Sequence, residues 1–363
     1  MLTTNFKTNA VHSFISNLLG GPYRKVGRHF ITILKWPKAI SLLFIFMSSH
    51  TAAIPLNQIS SSPFPVTIKT AHGTAVIPTH PQRVITLGAT TEDWCLLLGI
   101  VPIAIEAHYW GGDSKGYLPW FKQAVLQQEK ALPSVLSSYP ELDIEHILSL
   151  KPDLILAPQS GITLETFNQL NSFVPVVAYP DQPWLTPIDK QVTLISTALG
   201  KTEEGDALLV QLHQYLASLA DENPQFKGKK LAYINAGSRF GNLALYVPGD
   251  PRIDSLLALG FIQLPEVKDI KPTRGHFTAN IGLEHSDIFN DADLIISWYE
   301  SEKSKQAVEK IPLFSHITAL KQGRYLAITD PSIVMATSYG SLLSLEWVMP
   351  VFIPKINEVM GNE

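Results

Sequence analysis

Cysteine is nearly missing from this 363-residue chain. Cys95 stands alone, so no internal disulfide can staple the fold. It lies in the apolar stretch Trp94-Cys95-Leu96-Leu97-Leu98 and reads as a small buried hydrophobe. Catalytic signatures are missing as well. No GxSxG elbow, P-loop, GxGxxG, HExxH or CxxC occurs, which removes the usual sequence marks of hydrolases, nucleotide enzymes and zinc peptidases. Gly237-Ser238-Arg239-Phe240-Gly241 is flanked by glycines but centred on arginine. None of the eleven histidines pairs with another at i+3 or i+4, so no histidine metal site is signalled. Long apolar runs are lacking too. The leader's run, Ile40 to Met47, falls well short of the roughly 20 residues a membrane span needs.

Acidic residues are absent from the first 53 positions. That segment carries six cations, Lys7, Arg24, Lys25, Arg28, Lys35 and Lys38, then the apolar run, then small residues up to Ala53. Basic, apolar and small regions in that order make a secretory signal peptide, with cleavage expected near Ala53. No cysteine closes the leader, which points to free periplasm rather than a lipid anchor. Without the leader, 22 Lys and Arg remain against 32 Asp and Glu, a net charge near −10. A chain so acidic repels nucleic acid and anionic lipid.

At this length and 45% hydrophobic content, about two domains are expected. Residues 54–65 read as a disordered lead-in. Short apolar runs at 84–87, 101–105, 154–157 and 174–178 alternate with helical segments, one starting at Thr91 as N-cap and another over 145–150. This is the pattern of parallel sheet with helices on both faces. It stops near 187. Residues 187–199 and 202–222 read as helices, the second about 31 Å long, enough to bridge two lobes. Strands then resume at 231–234, 294–297 and 325–328, with a helix opened by Asp250-Pro251. A final apolar helix over 341–359 is expected to break at Pro350 and Pro354. The predicted organisation is a leader over 1–53, the lead-in over 54–65, an N-terminal α/β lobe over 66–186, a helical segment over 187–228 and a C-terminal α/β lobe over 229–363. Ile144-Glu145-His146 before Asp153-Leu154-Ile155 is echoed by Leu283-Glu284-His285 before Asp293-Leu294-Ile295, as two related lobes would produce.

Several segments in order carry a family resemblance. They are Pro81-Gln82-Arg83-Val84-Ile85, Leu96-Leu97-Leu98-Gly99-Ile100-Val101-Pro102, Leu142 through Ile155, Pro312-Leu313-Phe314 and Gly323 through Ile328. From Pro81 onward the chain resembles the periplasmic iron–siderophore binding proteins of ABC importers. The resemblance implies two Rossmann-like lobes linked by a long helix, a ligand cleft between them, and an ABC permease with its ATPase as partner. It implies no catalysis, no cofactor and no nucleic-acid partner, and a monomer. The cargo would be a ferric siderophore, with cobalamin, haem or another metal chelate as the alternative. A secreted hydrolase would have to use Ser160 or Ser238. In the family, one glutamate on each lobe docks onto permease arginines; Glu145 and Glu284 match those positions.

Ligands of open α/β sheets bind beyond the carboxyl ends of the strands. That rule selects Thr90, Thr91, Trp94, Tyr109, Trp110, Gln159, Ser160 and Tyr179 in the first lobe and Ser238, Arg239, Phe240, Trp298 and Tyr299 in the second. Tyr117, Trp120, Trp184 and Tyr339 sit in segments that are harder to place. Aromatic faces and an arginine suit a chelate whose own oxygens saturate the iron. Arg252 reads as a surface salt bridge.

Overall fold

The computed structural model describes residues 63–363 apart from 139–140, 240, 273–277 and 362–363. The leader and nearly all of the lead-in lie outside the described residues. A hairpin comes first: β1 (Val66–Thr70) pairs antiparallel with β2 (Gly73–Ile77). Its apolar residues are few, Ile68, Ala75 and Ile77 being buried, and the alternation is short, which hides it in the sequence.

The first lobe follows. Its elements are β3 (Val84–Thr86), α1 (Thr91–Leu97), β4 (Ala104–Glu106), α2 (Pro119–Gln127), β5 (Ser134–Leu136), α3 (Ile144–Ser149), β6 (Leu154–Ala157), α4 (Leu164–Asn171) and β7 (Val176–Ala178). The five strands form one sheet in the order β5-β4-β3-β6-β7, all parallel. Runs such as Leu154-Ile155-Leu156-Ala157 are buried on both faces, as a sheet covered by helices requires. Ile85, Leu136, Ile155, Phe167 and Val176 belong to one hydrophobic core.

Helices α5 (Ile188–Ala198) and α6 (Thr202–Glu222) then leave the sheet, within a residue of the sequence expectation. α6 buries Leu208, Leu212 and Leu216 along one stripe. It leads to the second lobe: β8 (Lys230–Arg239), β9 (Asn242–Tyr246), α7 (Pro251–Ala258), β10 (Ile262–Gln263), β11 (Thr278–Gly282), a 3-10 segment over Leu283–Phe289, β12 (Leu294–Trp298), α8 (Glu302–Glu309), α9 (Pro312–Ser315), α10 (Thr318–Lys321), β13 (Tyr325–Ile328), α11 (Pro331–Tyr339) and α12 (Leu342–Met360). Its sheet runs β11-β9-β8-β12-β13, with β10 joined to β8. Unlike the first, it is mixed, because β9 and β11 run antiparallel. A separate core of Ile234, Leu245, Phe289, Ile295 and Phe314 holds it.

Two local expectations need correction. Residue Thr90, in the left-handed region at φ 67°, precedes α1 in place of Thr91. Its hydroxyl donates to Gln191 Oε1 of α5 at 2.5 Å and does not cap the helix. α12 also runs unbroken through Pro350 and Pro354. The two prolines sit four apart on the exposed face, so the carbonyls they leave unpaired face water. The opposite face is anchored by Leu345, Val348, Met349, Phe352 and Ile356. No helix among the described residues is long and apolar enough to cross a membrane.

Candidate binding site

The carboxyl ends of the first-lobe strands open onto a cavity of about 550 Å³. Leu87 follows β3, Glu106 ends β4, Ser138 and Glu141 follow β5, and Ser160 and Gly161 follow β6; Glu165 and Trp184 complete the arc. Its described lining holds three carboxylates and no lysine or arginine. Sequence reasoning placed Ser160 and Trp184 near a cleft but missed Glu106, Glu141 and Glu165. Glu106 ends the three-residue strand β4, Glu141 stands on the connection after the equally short β5, and Glu165 lies in the first turn of α4, so little periodic signal marks the first two.

A second feature lies where the lobes meet. Trp110, in the loop after β4, packs against Trp298 at the end of β12, with ring centroids 5.4 Å apart. Trp298 is fixed from behind, since its Nε1–H donates to Tyr246 Oη at 2.9 Å. The Arg252 guanidinium lies 4.3 Å from the Tyr246 ring centroid and pairs with Asp250 at 2.7 Å. That ion pair was expected on the surface. It is buried instead, with side chains only 12% and 3% exposed, because Asp250 caps α7 beneath the end of the second sheet. Next to Trp110, Gly111 adopts φ +89° and its carbonyl accepts from Ser332 Oγ of α11 at 2.9 Å. A Cβ there would meet Met335 at 2.5 Å, so glycine alone lets the lobes approach this closely.

The remaining candidates divide by burial. Tyr109 is 64% exposed and lies beside Trp110. Trp94 and Tyr299 are fully buried and offer no surface to a ligand. They are core residues: Trp94 points inward from α1, and Tyr299 bonds Tyr325 Oη at 2.5 Å. Tyr179 is also buried, its hydroxyl held by His72 of the β1–β2 turn at 2.8 Å. Gln159 is buried too and both ends of its amide are occupied. Nε2 donates to the Trp184 carbonyl at 2.9 Å and Oε1 accepts from Thr186 N at 3.1 Å. Ser160 Oγ donates to the Ala157 carbonyl at 2.8 Å and accepts from Ile162 N at 3.3 Å. Phe240 and the side chains of Ser238 and Arg239 lie outside the described residues. Glu145 on α3 and Glu284 on the 3-10 segment are exposed, one on each lobe.

Behind the cleft the lobes share a buried polar seam. Glu92 and Asp93, adjacent on α1, are 1% and 0% exposed. In the sequence they are simply acids in the first turn of a helix, where the helix dipole favours them, and nothing there marks their burial. Tyr339 Oη, from α11, donates to Glu92 at 2.8 Å, and His108 Nε2 lies 3.1 Å from the same oxygen. Asp93 accepts from Ser341 Oγ at 2.5 Å and from Trp120 Nε1 at 2.9 Å. Burial pushes the Asp93 carboxyl well above the usual carboxylate range, and the Glu92 charge adds to this. For His108 burial acts downward, but the hydrogen bond and charge of Glu92, with Glu106 behind, raise it above the ordinary histidine value. Trp120 and Tyr339 thus belong to the seam, and Tyr117 is buried with its hydroxyl on the Pro133 carbonyl.

Comparison with known proteins agrees with this geometry. Residues 84–331 match the family described as "Periplasmic binding protein". The Fe(3+) dicitrate-binding periplasmic protein FecB of Escherichia coli (strain K12) is 26% identical over 269 residues, which covers 74% of this chain and 83% of FecB. Streptococcus pneumoniae TIGR4 PiaA in complex with ferrichrome superposes with a TM-score of 0.74 at 28% identity, covering 82% of this chain and 99% of that structure. The vitamin B12-binding protein of Pectobacterium atrosepticum is 25% identical over 48% of this chain and 58% of its own length.

Proposed function

This chain belongs to the periplasmic binding protein family, and on that footing we propose that it captures a ferric siderophore between its lobes and hands it to the permease of an ABC importer. The observation that carries the reading is the placement of Trp110 and Trp298 on opposite lobes, at the carboxyl ends of β4 and β12, 5.4 Å apart. Such a pair can cover the organic face of a chelate whose iron is already saturated. Among the described residues no group of three or more His, Cys, Asp or Glu could hold a metal ion. Glu106, Glu141 and Glu165 favour a cargo face bearing hydroxyl, amide or ammonium donors. Arg239 and Phe240 remain candidate contacts from the second lobe, with Arg239 answering any negative charge. The leader directs the chain to the periplasm and is cut near Ala53, leaving a monomer that begins at Ile54.

One preparation tests this. The full chain is expressed, the periplasmic fraction is purified and its N-terminus sequenced. The protein is then titrated by calorimetry with ferrichrome, ferric dicitrate, ferric enterobactin and cobalamin. The expected result is an N-terminus at or near Ile54 and tight binding of at least one ferric complex. Binding of cobalamin alone would move the cargo to a corrinoid within the same fold. Failure of all four would sink the reading.

A further inference from the structure

Trp184 has the backbone conformation least suited to its side chain. Its φ is +64°, in the left-handed region that bulky residues seldom occupy and that persists only when the surroundings enforce it. The enforcement is visible. Trp184 N–H donates to the Ser160 carbonyl at 3.3 Å, and its own carbonyl accepts from Gln159 Nε2 at 2.9 Å. Gln159 Oε1 binds Thr186 N, and Thr186 Oγ1 donates to the Pro158 carbonyl. The loop after β7 is therefore stitched to the loop after β6 on both sides of Trp184. The indole lies directly over Gly161, where a Cβ would sit 2.7 Å from Nε1. The half-buried side chain lines the first-lobe cavity, and its N–H finds no acceptor among the described residues.

A residue needed only to cover the sheet end would not require a strained backbone, a dedicated amide and a bare neighbour. We infer that Trp184 is the first lobe's aromatic wall for the cargo, and that Gln159 and Gly161 are positioning residues that set its indole at the cavity. This rests on the cleft being the cargo site. It names a cargo with a flat or apolar face to stack on the indole and an acceptor within reach of the indole N–H.

Trp184→Gly separates the roles. Glycine takes the left-handed conformation without strain, so the melting temperature is expected to hold or rise. Affinity for the complex that binds best among ferrichrome, ferric dicitrate and ferric enterobactin should nevertheless fall about ten-fold. A lower melting temperature with unchanged affinity would reduce Trp184 to packing. Gly161→Ala, at an exposed position, should shift tryptophan emission in the free protein and weaken binding several-fold, and it keeps the test alive if Trp184→Gly does not fold. Gln159→Glu keeps the acceptor for Thr186 but sets an oxygen against the Trp184 carbonyl, and should also weaken binding. Neither change should weaken binding further in a Trp184→Gly background. Equal losses in both backgrounds would overturn the positioning role. If the wild type binds and Trp184→Gly binds equally well, this inference alone fails; if the wild type binds none of the three complexes, the cleft reading fails and this falls with it.

Discussion

Glu92 and Asp93 put two carboxylates side by side in the interior with one imidazole for company. Charges removed from water in this way are retained only when paired or neutralised. His108 and Tyr339 serve Glu92, while Asp93 receives only neutral donors. The folded seam therefore holds protons that the unfolded chain releases more readily. For His108 the raised folded value means a contribution to stability that is complete below about pH 6.5 and lost as pH rises through the folded value. For Asp93 the contribution is complete below about pH 3.9 and is likewise lost as pH rises through its folded value. Both slopes have the same sign, so the seam weakens toward alkaline pH. Thermal melts between about pH 5 and 8 should show Asp93→Asn, neutral throughout, with a shallower decline than wild type. His108→Gln should remove the histidine part of the decline. Tyr339→Phe withdraws a buried donor from Glu92 and should cost about 1–3 kcal/mol. Variant and wild-type profiles of identical slope would contradict the seam's titration.

Among the elements, the echo between the two halves is structural and extends to atoms. α3 feeds β6, and the 3-10 segment Leu283–Phe289 feeds β12. Each strand sits between a preceding parallel strand and a following one, β6 between β3 and β7, β12 between β8 and β13. Asp153 binds the backbone N–H of Gln82 and Arg83 at the entrance to β3; Asp293 binds Lys230 N at the entrance to β8. Glu284 stands one residue further from Asp293 than Glu145 does from Asp153, and the second segment is kinked at His285 where the first is a regular helix capped by Asp143. Equivalent elements thus present Glu145 and Glu284 at exposed positions, one on each lobe, and we propose these two as the permease-docking pair. Two carboxylates on separate lobes, each meeting an arginine fork, would fix orientation. Glu145→Ala and Glu284→Ala should leave cargo affinity within about two-fold, since each is an exposed side chain outside the cavity lining. Stimulation of the permease ATPase should fall in each variant and further in the double variant. Full stimulation by the double variant at limiting protein would contradict the docking role.

For the whole molecule, the architecture was legible wherever burial imposes a period. The apolar runs of β3, β6, β8, β12 and β13, the long α6 and the Asp250-Pro251 start of α7 could all be read from the chain. The β1–β2 hairpin, β5 and β10 could not, being too short for their alternation to register. The site was legible only as a rule about strand ends. That rule selected Trp110 and Trp298, whose rings the fold brings 5.4 Å apart, but it equally selected the buried Trp94, Gln159, Tyr179 and Tyr299, because nothing in one sequence separates an aromatic facing the cleft from one facing the core. Glu92 and Asp93 misled for a related reason: helix-start chemistry favours acids, and their burial depends on a lobe contact made some 250 residues later, at Tyr339 and Ser341. The central claim is that an iron complex is held whole between the lobes. An anomalous difference map at the iron edge tests it directly, from crystals grown with the tightest binder among ferrichrome, ferric dicitrate and ferric enterobactin. The expected result is one iron peak between the Trp110–Trp298 pair and the cavity bearing Trp184, with the chelate alone supplying its oxygen shell. A peak elsewhere on the molecule, or iron ligated by protein side chains, would contradict it.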